Sequence, residues 1–227
     1  SRVLILLSSG GYFAADTTTG SGGTLPKGTL GGRFRARSHS GTSFAVLEDR
    51  LDRVSILDVS GLGAPTLRFE GNSGLGDEAD GPFEMLALEV SPSGKPSVLA
   101  VGRGSDHLAL VDLDTRAITG RIDVARGPIV LRQIPSGLVI VGHEDGTVVL
   151  VDPAGLVELG RLSYAGPVTE IEVDPRAGPT GPVTAWLRTE EGDLSGLHRL
   201  EVTSGGQLVP ITGGQFTVSA GNQRTSS

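Results

Sequence analysis

The stretch GSDHLALVDLDTRAITGRIDV (104–124) contains two short runs in which apolar and polar side chains alternate. A polar corner, Asp112-Leu113-Asp114-Thr115, separates the two runs. Alternation with a period of two is typical of β-strands, whereas an amphipathic helix repeats its apolar positions every three to four residues. An acid directly after a strand can accept hydrogen bonds from the backbone N–H groups of the following turn. We therefore interpret this stretch as two β-strands joined by a turn that Asp112 holds.

The same arrangement, an apolar run closed by an acid, occurs five times along the chain. The closing residues, called corner acids here, are Asp16, Asp58, Asp112, Asp152 and Glu201. Successive corner acids are 42, 54, 40 and 49 residues apart, and the long second interval contains the Gly-rich insertion GNSGLGDEADGP (71–82). A period in the low forties is typical of β-propeller blades, each built from four antiparallel strands.

Residues 83–125 and 127–165 show the four strands of such a unit most clearly, with Gly, Pro and Asp at the turns between them. Two further units are assigned to 31–70 and 166–212. No stretch of useful length has helical periodicity. The sequence therefore predicts an all-β protein that forms a single β-propeller domain over 1–227.

The two ends of the sequence suggest how such a ring would close. Residues 1–30 contain three strand-like segments and lack the innermost strand of a blade, while GQFTVSAGN (214–222) is a spare strand. Pairing the spare strand with the N-terminal strands would complete a fifth blade and leave no open sheet edge. A closed five-bladed propeller is the simpler hypothesis, and a fragment of a larger propeller is the alternative.

Two segments resemble known propeller repeats. AVGRGSDHLALVDLDTRAITGRIDVARGP (100–128) resembles the repeat of YVTN-type propellers in its small-residue strand, its Gly-Ser-Asp turn and its Asp-Thr corner. VGHEDGTVVLVD (141–152) resembles a WD40 blade, although Val151 stands where that family has the tryptophan of its Trp-Asp pair. The resemblance is clear over 84–163 and implies the propeller fold. It implies little about function, because propellers include lyases, oxidoreductases, lectins and scaffolds.

Composition excludes several function classes and leaves the compartment open. A net charge of −7 argues against nucleic-acid binding, which needs a basic surface, and no apolar run is long enough to insert into a membrane. The absence of cysteine excludes disulfides, thiolate metal sites and cysteine nucleophiles. The YVTN resemblance favours the cell envelope and leaves the cytoplasm open. We expect a non-enzymatic scaffold that binds a protein partner, uses no cofactor and has no metal-ligand cluster.

Two predicted innermost strands carry charges on every second residue, which places each set on one face of its strand. The two sets are Arg33, Arg35 and Arg37 in RFRARSH, and Glu170, Glu172 and Asp174 in TEIEVD. We expect both triads at the central channel or its rim, where they would select ions or charged peptide ends. The alternative is that the charges compensate one another or are simply solvated.

The other candidate side chains give weaker signals. A propeller hydrolase, either a glycoside hydrolase or lactonase-like, would use a pair of inner-strand carboxylates from among Glu84, Glu89, Glu170 and Glu172. One Trp, two Tyr and six Phe provide few aromatic platforms for a sugar, which argues against that alternative. The four histidines lie in different units without the spacing of metal ligands; they are His39, His107, His143 and His198.

The insertion at 71–82 carries Asp77, Glu78 and Asp80 among glycines. Carboxylates on a flexible loop can bind Ca²⁺, but this spacing differs from that of the regular calcium loop. Long loops on rigid scaffolds often carry binding residues. We therefore expect this loop to be exposed and to face a partner.

Overall fold

The computed structural model describes residues 84–88, 94, 97–102, 105–112, 115, 117–192 and 195–212 with their side chains, together with residue 19. It also gives the backbone of the strands at 2–6, 12–16, 22–25, 34–40, 43–48, 53–58, 66–72, 82–83, 194 and 216–219. No helix long and apolar enough to cross a membrane is found in this part of the chain.

Within these residues the chain forms twenty β-strands in five antiparallel sheets. The first sheet contains β1 (Arg2–Leu6), β2 (Tyr12–Asp16) and β3 (Gly22–Leu25). The second contains β4 (Phe34–Ser40), β5 (Ser43–Glu48), β6 (Arg53–Asp58) and β7 (Thr66–Asn72). The third contains β8 (Pro82–Ala87), β9 (Ser97–Gly102), β10 (His107–Asp112) and β11 (Ala117–Asp123). The fourth contains β12 (Pro128–Gln133), β13 (Val139–His143), β14 (Thr147–Asp152) and β15 (Val157–Ser163). The fifth contains β16 (Val168–Val173), β17 (Val183–Glu191), β18 (Leu194–Val202), β19 (Leu208–Pro210) and β20 (Phe216–Ser219).

The sheets, called blades one to five here, are arranged as in a propeller. The first strands of blades two to five lie side by side in the order β4, β8, β12, β16. The fourth strands do the same in the order β7, β11, β15, β19. The first strands are therefore innermost and the fourth strands outermost. This arrangement confirms the prediction of an all-β propeller with four-stranded antiparallel blades; the number of blades in the ring and its closure stay predictions.

The C-terminal strand pairs differently from the sequence-based expectation. β20 pairs with Leu194–Leu197 of β18, so it joins blade five and not the N-terminal strands. β18 is nine residues long, and β19 pairs only with its end at Leu200–Val202. The remaining edge of β18 offers unpaired backbone groups, which β20 satisfies. The expected pairing of 214–222 with the first sheet is therefore wrong.

The core lies in the seams between blades. We call the blade face that points to the next blade along the chain its front face, and the opposite face its back face. One buried cluster joins the front face of blade three to the back face of blade four, and includes Leu99, Val101, Leu108, Leu110, Val139, Val141, Val149 and Val151. A second joins blades four and five, and includes Ile140, Val148, Leu150, Ile171, Ala185, Leu187 and Leu200. Burial on both faces explains why β9, β13 and β14 are continuous apolar runs and do not alternate.

The corner acids hold turns in blades three and four, as predicted. The carboxylate Oδ1 of Asp112 accepts the N–H of Thr115, and that of Asp152 accepts the N–H of Ala154, each at 2.8 Å. In blade five the prediction fails, because β18 continues through Glu201 to Val202. The hydroxyl of Thr203 holds that turn instead and accepts the N–H of Gln207 at 3.1 Å. The side chains of Asp16 and Asp58 lie outside the described residues.

Candidate functional site

A groove opens between blades four and five, at the face of the molecule where the first strand of each blade turns into the second. Its volume is about 420 Å³. Its lining residues come from the ends of β12 and β16 and the turns that follow; they are Gln133, Ile134, Pro135, Val173, Asp174, Pro175 and Pro179. A cavity of about 80 Å³ adjoins it, shares Ile134 and Pro179, and extends to the turn at 203–206.

The turn of blade four is fixed by its own hydrogen bonds. The N–H of Ile134 donates to the carbonyl of Leu138, and the N–H of Gly137 donates to the carbonyl of Ile134, both at 2.9 Å. Gly137 has a φ of 93°, a left-handed conformation that only glycine adopts without strain. The Gln133 amide also donates to the carbonyl of Gly137 at 3.1 Å. Hydrogen bonds within the turn therefore fix this wall of the groove.

The turn of blade five is held by Asp174. Its Oδ1 accepts the N–H of Arg176 at 2.9 Å, and the Arg176 guanidinium donates to both carboxylate oxygens, at 3.0 and 2.8 Å. These hydrogen bonds lower the pKa of Asp174 to about 2. Because Arg176 neutralises the acid of the groove lining, the groove presents mainly apolar surface from Val173 and the prolines.

Arg132 links the innermost strands of blades four and five beside the groove. Its Nε donates to the carbonyl of Ile171 at 3.0 Å, and its Nη2 donates to Glu172 Oε1 at 2.6 Å. The side chains of Arg132 and Glu172 are 44% and 60% exposed. One guanidinium thus bonds both a backbone edge and a carboxylate across the seam, an arrangement we call the Arg132 clasp.

The structure separates the three predicted acids of blade five. Glu172 pairs with Arg132, and Asp174 lies beyond the end of β16 and pairs with Arg176. Glu170 Oε2 lies 3.7 Å from Arg188 Nη1, and Arg188 also pairs with Glu190. The sequence reasoning missed Arg132 and Arg188 as partners because both belong to other strands, and cross-strand neighbours depend on register.

The register relates the arginine triad to this clasp. Arg37 pairs with Ala45, which pairs with Ile56, two residues before the corner acid of blade two. Arg132 pairs with Ile140, which pairs with Leu150, again two residues before the corner acid.

Arg37 therefore occupies on blade two the register position that Arg132 occupies on blade four, and Arg35 occupies that of Val130. Arg33 and the side chains of Arg35 and Arg37 lie outside the described residues, so their location at the channel stays a prediction.

Among the described residues, the other predicted side chains do not assemble into one site. Glu84 Oε1 accepts the N–H of Met85 at 2.9 Å. The structure does not describe Glu89, His39 or the loop acids Asp77, Glu78 and Asp80.

His143 and His198 are separate structural residues. His143 is fully buried on β13, and its Nδ1–H donates to the carbonyl of Thr147 at 3.0 Å. His198 packs against the ring of Tyr164, with centroids 4.6 Å apart. Burial lowers the pKa of both imidazoles.

His107 stands beside Ser105 and Asp106 without forming a catalytic relay. Ser105 Oγ and Asp106 Oδ1 both lie 3.3 Å from the same ring nitrogen, Nδ1, while Nε2 contacts Arg121 Nη1. A serine nucleophile needs the hydroxyl and the acid on opposite nitrogens of the imidazole. Within the described part of the chain, no three His, Asp or Glu side chains are grouped to hold a metal ion.

Comparison with known proteins shows the fold. No family model and no curated protein matches the sequence. A solved structure of hydrazine synthase from Kuenenia stuttgartiensis is similar, with a TM-score of 0.63 and 14% identity over 92% of this chain. The Cps50 (Swd1) beta-propeller domain of Myceliophteria thermophila is also similar, with a TM-score of 0.64 and 15% identity over 96% of this chain.

The present chain spans 64% of the first of these two chains and 69% of the second. Similarity at such low identity carries information about fold alone. The propeller part of the predicted resemblance is thus confirmed, while membership of the YVTN or WD40 repeat family stays a prediction. The chain has a β-propeller fold.

Proposed function

We propose that this protein is a non-enzymatic propeller scaffold that binds another protein in the groove between blades four and five. The observation that carries the proposal is the groove itself, an apolar concavity of about 420 Å³ whose walls are fixed before any partner arrives. Binding sites are typically concave, mostly apolar and largely preformed. A preformed wall also reduces the entropy lost on binding.

The lining favours an extended segment of the partner. Pro135, Pro175 and Pro179 have no N–H group and so offer apolar ring surface without adding hydrogen-bond donors. The adjoining cavity of about 80 Å³ has room for one small apolar side chain, with the buried Ile134 between the two spaces. We expect a segment that runs along the groove and anchors one apolar side chain in that cavity.

The seam beneath the groove supports this role because it is tightly packed. Ile171 and Leu187 of blade five are fully buried against Ile140 and Leu150 of blade four. The Arg132 clasp adds two hydrogen bonds on the channel side of the same seam. A binding surface on two tightly packed blades loses little affinity to rearrangement.

The charged positions on the innermost strands would add selectivity for charged peptide ends. We propose that Arg35 and Arg37 line the channel on blade two, at the positions related to Val130 and Arg132. The insertion at 71–82 would provide a further partner-facing loop, and Ca²⁺ bound by its acids is an extension of the same hypothesis.

The hydrolase alternative has less support. Among the described inner-strand acids, Glu84 bonds a neighbouring backbone N–H, while Glu170 and Glu172 lie beside arginines. A hydrolytic pair needs one carboxyl that stays protonated near neutral pH and another free to attack or to activate water. Two of the three carboxylates are thus engaged by arginines, Glu170 by Arg188 and Glu172 by Arg132.

The test is affinity capture from an extract of the source cells, with matched charge-adding variants. Pro175→Glu puts a carboxylate in the groove, while Val157→Glu puts one on the outermost strand of blade four, where Val157 is 45% exposed. Wild type and Val157→Glu should retain the same partner, and Pro175→Glu should lose it. Equal capture by both variants would rule out the groove as the binding site.

A further inference from the structure

Two polar rings meet in the seam between blades four and five, at the end of the blades away from the groove. His198 lies on β18, where it pairs with Leu187 on the face that packs against blade four. Tyr164 follows β15 of blade four. The two ring centroids are 4.6 Å apart, and the ring planes are inclined by 46°. An imidazole of one blade thus packs on a phenol ring of the preceding blade.

Both rings are fixed by contacts within their own blades. The Nε2 of His198 lies 3.0 Å from the hydroxyl of Thr189, which is only 3% exposed. Gly196 leaves room for this contact, because a Cβ there would lie 2.7 Å from Nε2. On the other side, the N–H of Tyr164 donates to the carbonyl of Gly146 at 3.0 Å. The ring contact is therefore part of the seam's regular packing.

The site favours a neutral imidazole. The Nδ1 of His198 and the hydroxyl of Tyr164 are both buried, and neither has a hydrogen-bond partner among the described residues. Protonation would place a positive charge and a second N–H donor where no described residue accepts a hydrogen bond from it. Burying a charge without a partner is costly. Burial accordingly lowers the pKa of His198.

Charged side chains on the elements around this site do not offset that cost. On β17, Glu191 lies two residues beyond Thr189 on the same face, and blade four contributes Glu144 and Asp145 from the turn at 144–146. The side chains that β16 packs into the seam are Val168 and Ile171, and β20 contains no charged residue. Burial alone shifts the pKa of His198, so no carboxylate compensates for the added charge.

We propose that His198 and Tyr164 form an acid-sensitive latch between blades four and five. Above a pH of about 6.5, the ordinary pKa of an imidazole, the neutral ring packs on Tyr164 and the seam is closed. Below that pH an opened seam, in which His198 is hydrated, takes up a proton more readily than the closed seam. Acid therefore favours opening.

The latch and the groove belong to one seam. Tyr164 packs against the same buried cluster that contains Ile134, a residue of the groove lining. Loosening of the groove by acid is a consequence that rests on the proposed function. The latch itself does not depend on it and is tested without a partner.

The first test is an NMR titration of the imidazoles of the wild-type protein between about pH 5 and pH 8. The midpoint for His198 should lie below about 6.5, the value for an exposed imidazole. Tyr164→Ala, which removes the ring that covers His198, should move the midpoint back towards that value. A wild-type midpoint at or above it, or the same midpoint in both proteins, would overturn the inference.

The second test measures opening by hydrogen exchange at Glu190, whose N–H donates to the carbonyl of Pro167 beside the latch. Its protection factor should fall as the pH drops below about 6.5, by at most about tenfold per pH unit, because opening takes up one proton. His198→Gln should abolish this fall. His143→Gln, the same change at the buried histidine of β13, should retain it. The latch is refuted by constant protection in wild type, by a fall that persists in His198→Gln, or by one that disappears in His143→Gln.

Discussion

Gly166 and Gly192 form a matched pair that tests the contact between the loop at 166–167 and the end of β17. Both have a left-handed backbone, with φ of 73° and 58°. A Cβ at Gly166 would overlap the carbonyl oxygen of Glu190 at the end of β17, whereas a Cβ at Gly192 would meet no atom within 4 Å. The loop is also tied to β17, because the N–H of Glu190 donates to the carbonyl of Pro167 at 3.0 Å.

The two alanine variants should therefore differ in stability. Gly192→Ala adds the left-handed penalty of about 1–2 kcal/mol, which the lower entropy of the unfolded chain offsets by about 0.4–1 kcal/mol, leaving a net loss of about 1 kcal/mol. Gly166→Ala adds the displacement of a backbone carbonyl that cannot rotate away, about 1–3 kcal/mol more, as in overpacked cores. Its total loss should be about 2–4 kcal/mol.

Urea unfolding followed by circular dichroism measures both losses. At this chain length a loss of 1 kcal/mol lowers Tm by about 2–4 °C, so thermal melts should separate the variants clearly. Equal losses for Gly166→Ala and Gly192→Ala would refute the contact between the loop at 166–167 and the end of β17.

Three further perturbations test other contacts. Arg132→Met and Glu172→Gln, combined in a double-mutant cycle, should give a coupling of about 0.5–1 kcal/mol that decreases in high salt, since both side chains are about half exposed; a coupling of zero would show that the clasp does not form. Asp112→Ala should lower stability by about 1 kcal/mol, which is more than the loss for Asp152→Ala, because Asp112 is only 5% exposed and its removal takes away the acceptor of the Thr115 N–H. Equal losses in urea titrations would argue against this. Burial lowers the pKa of His143, so the unfolded chain takes up a proton more readily than the folded chain, and stability should fall as the pH drops below about 6.5. His143→Gln should reduce that fall, measured as the urea midpoint at several pH values, and an unchanged pH dependence would contradict the assignment.

The repeat and the strand order could be predicted because they depend on local pattern. The corner acids Asp112 and Asp152 mark the same point of each unit, and the alternating and continuous apolar runs around them reveal the strands. The prediction failed at Glu201, where β18 runs on by one residue and Thr203 takes over the turn. Local pattern alone cannot distinguish an acid inside an exposed strand from one at its end.

The pairing of β20 and the groove could not be predicted because they depend on contacts between distant segments. Which edge β20 joins is decided by the length of β18 left uncovered by β19. The groove lining comes from the turns after β12 and β16, some forty residues apart in the sequence. Arg199 stands four residues before Thr203, at the position that Leu108 and Val148 hold before their corner acids, so alignment of the repeats shows an arginine where those units have an aliphatic residue.

The most direct test of the scaffold proposal uses the absence of cysteine from the chain, which makes any introduced thiol unique. A photo-crosslinker attached to the thiol of Pro179→Cys lies in the groove. The same reagent attached to Val157→Cys lies on the outermost strand of blade four. After illumination in an extract of the source cells, we expect a partner protein covalently joined to position 179 and not to position 157. Crosslinking of that partner from 157 alone, or with equal yield from both positions, would contradict binding in the groove.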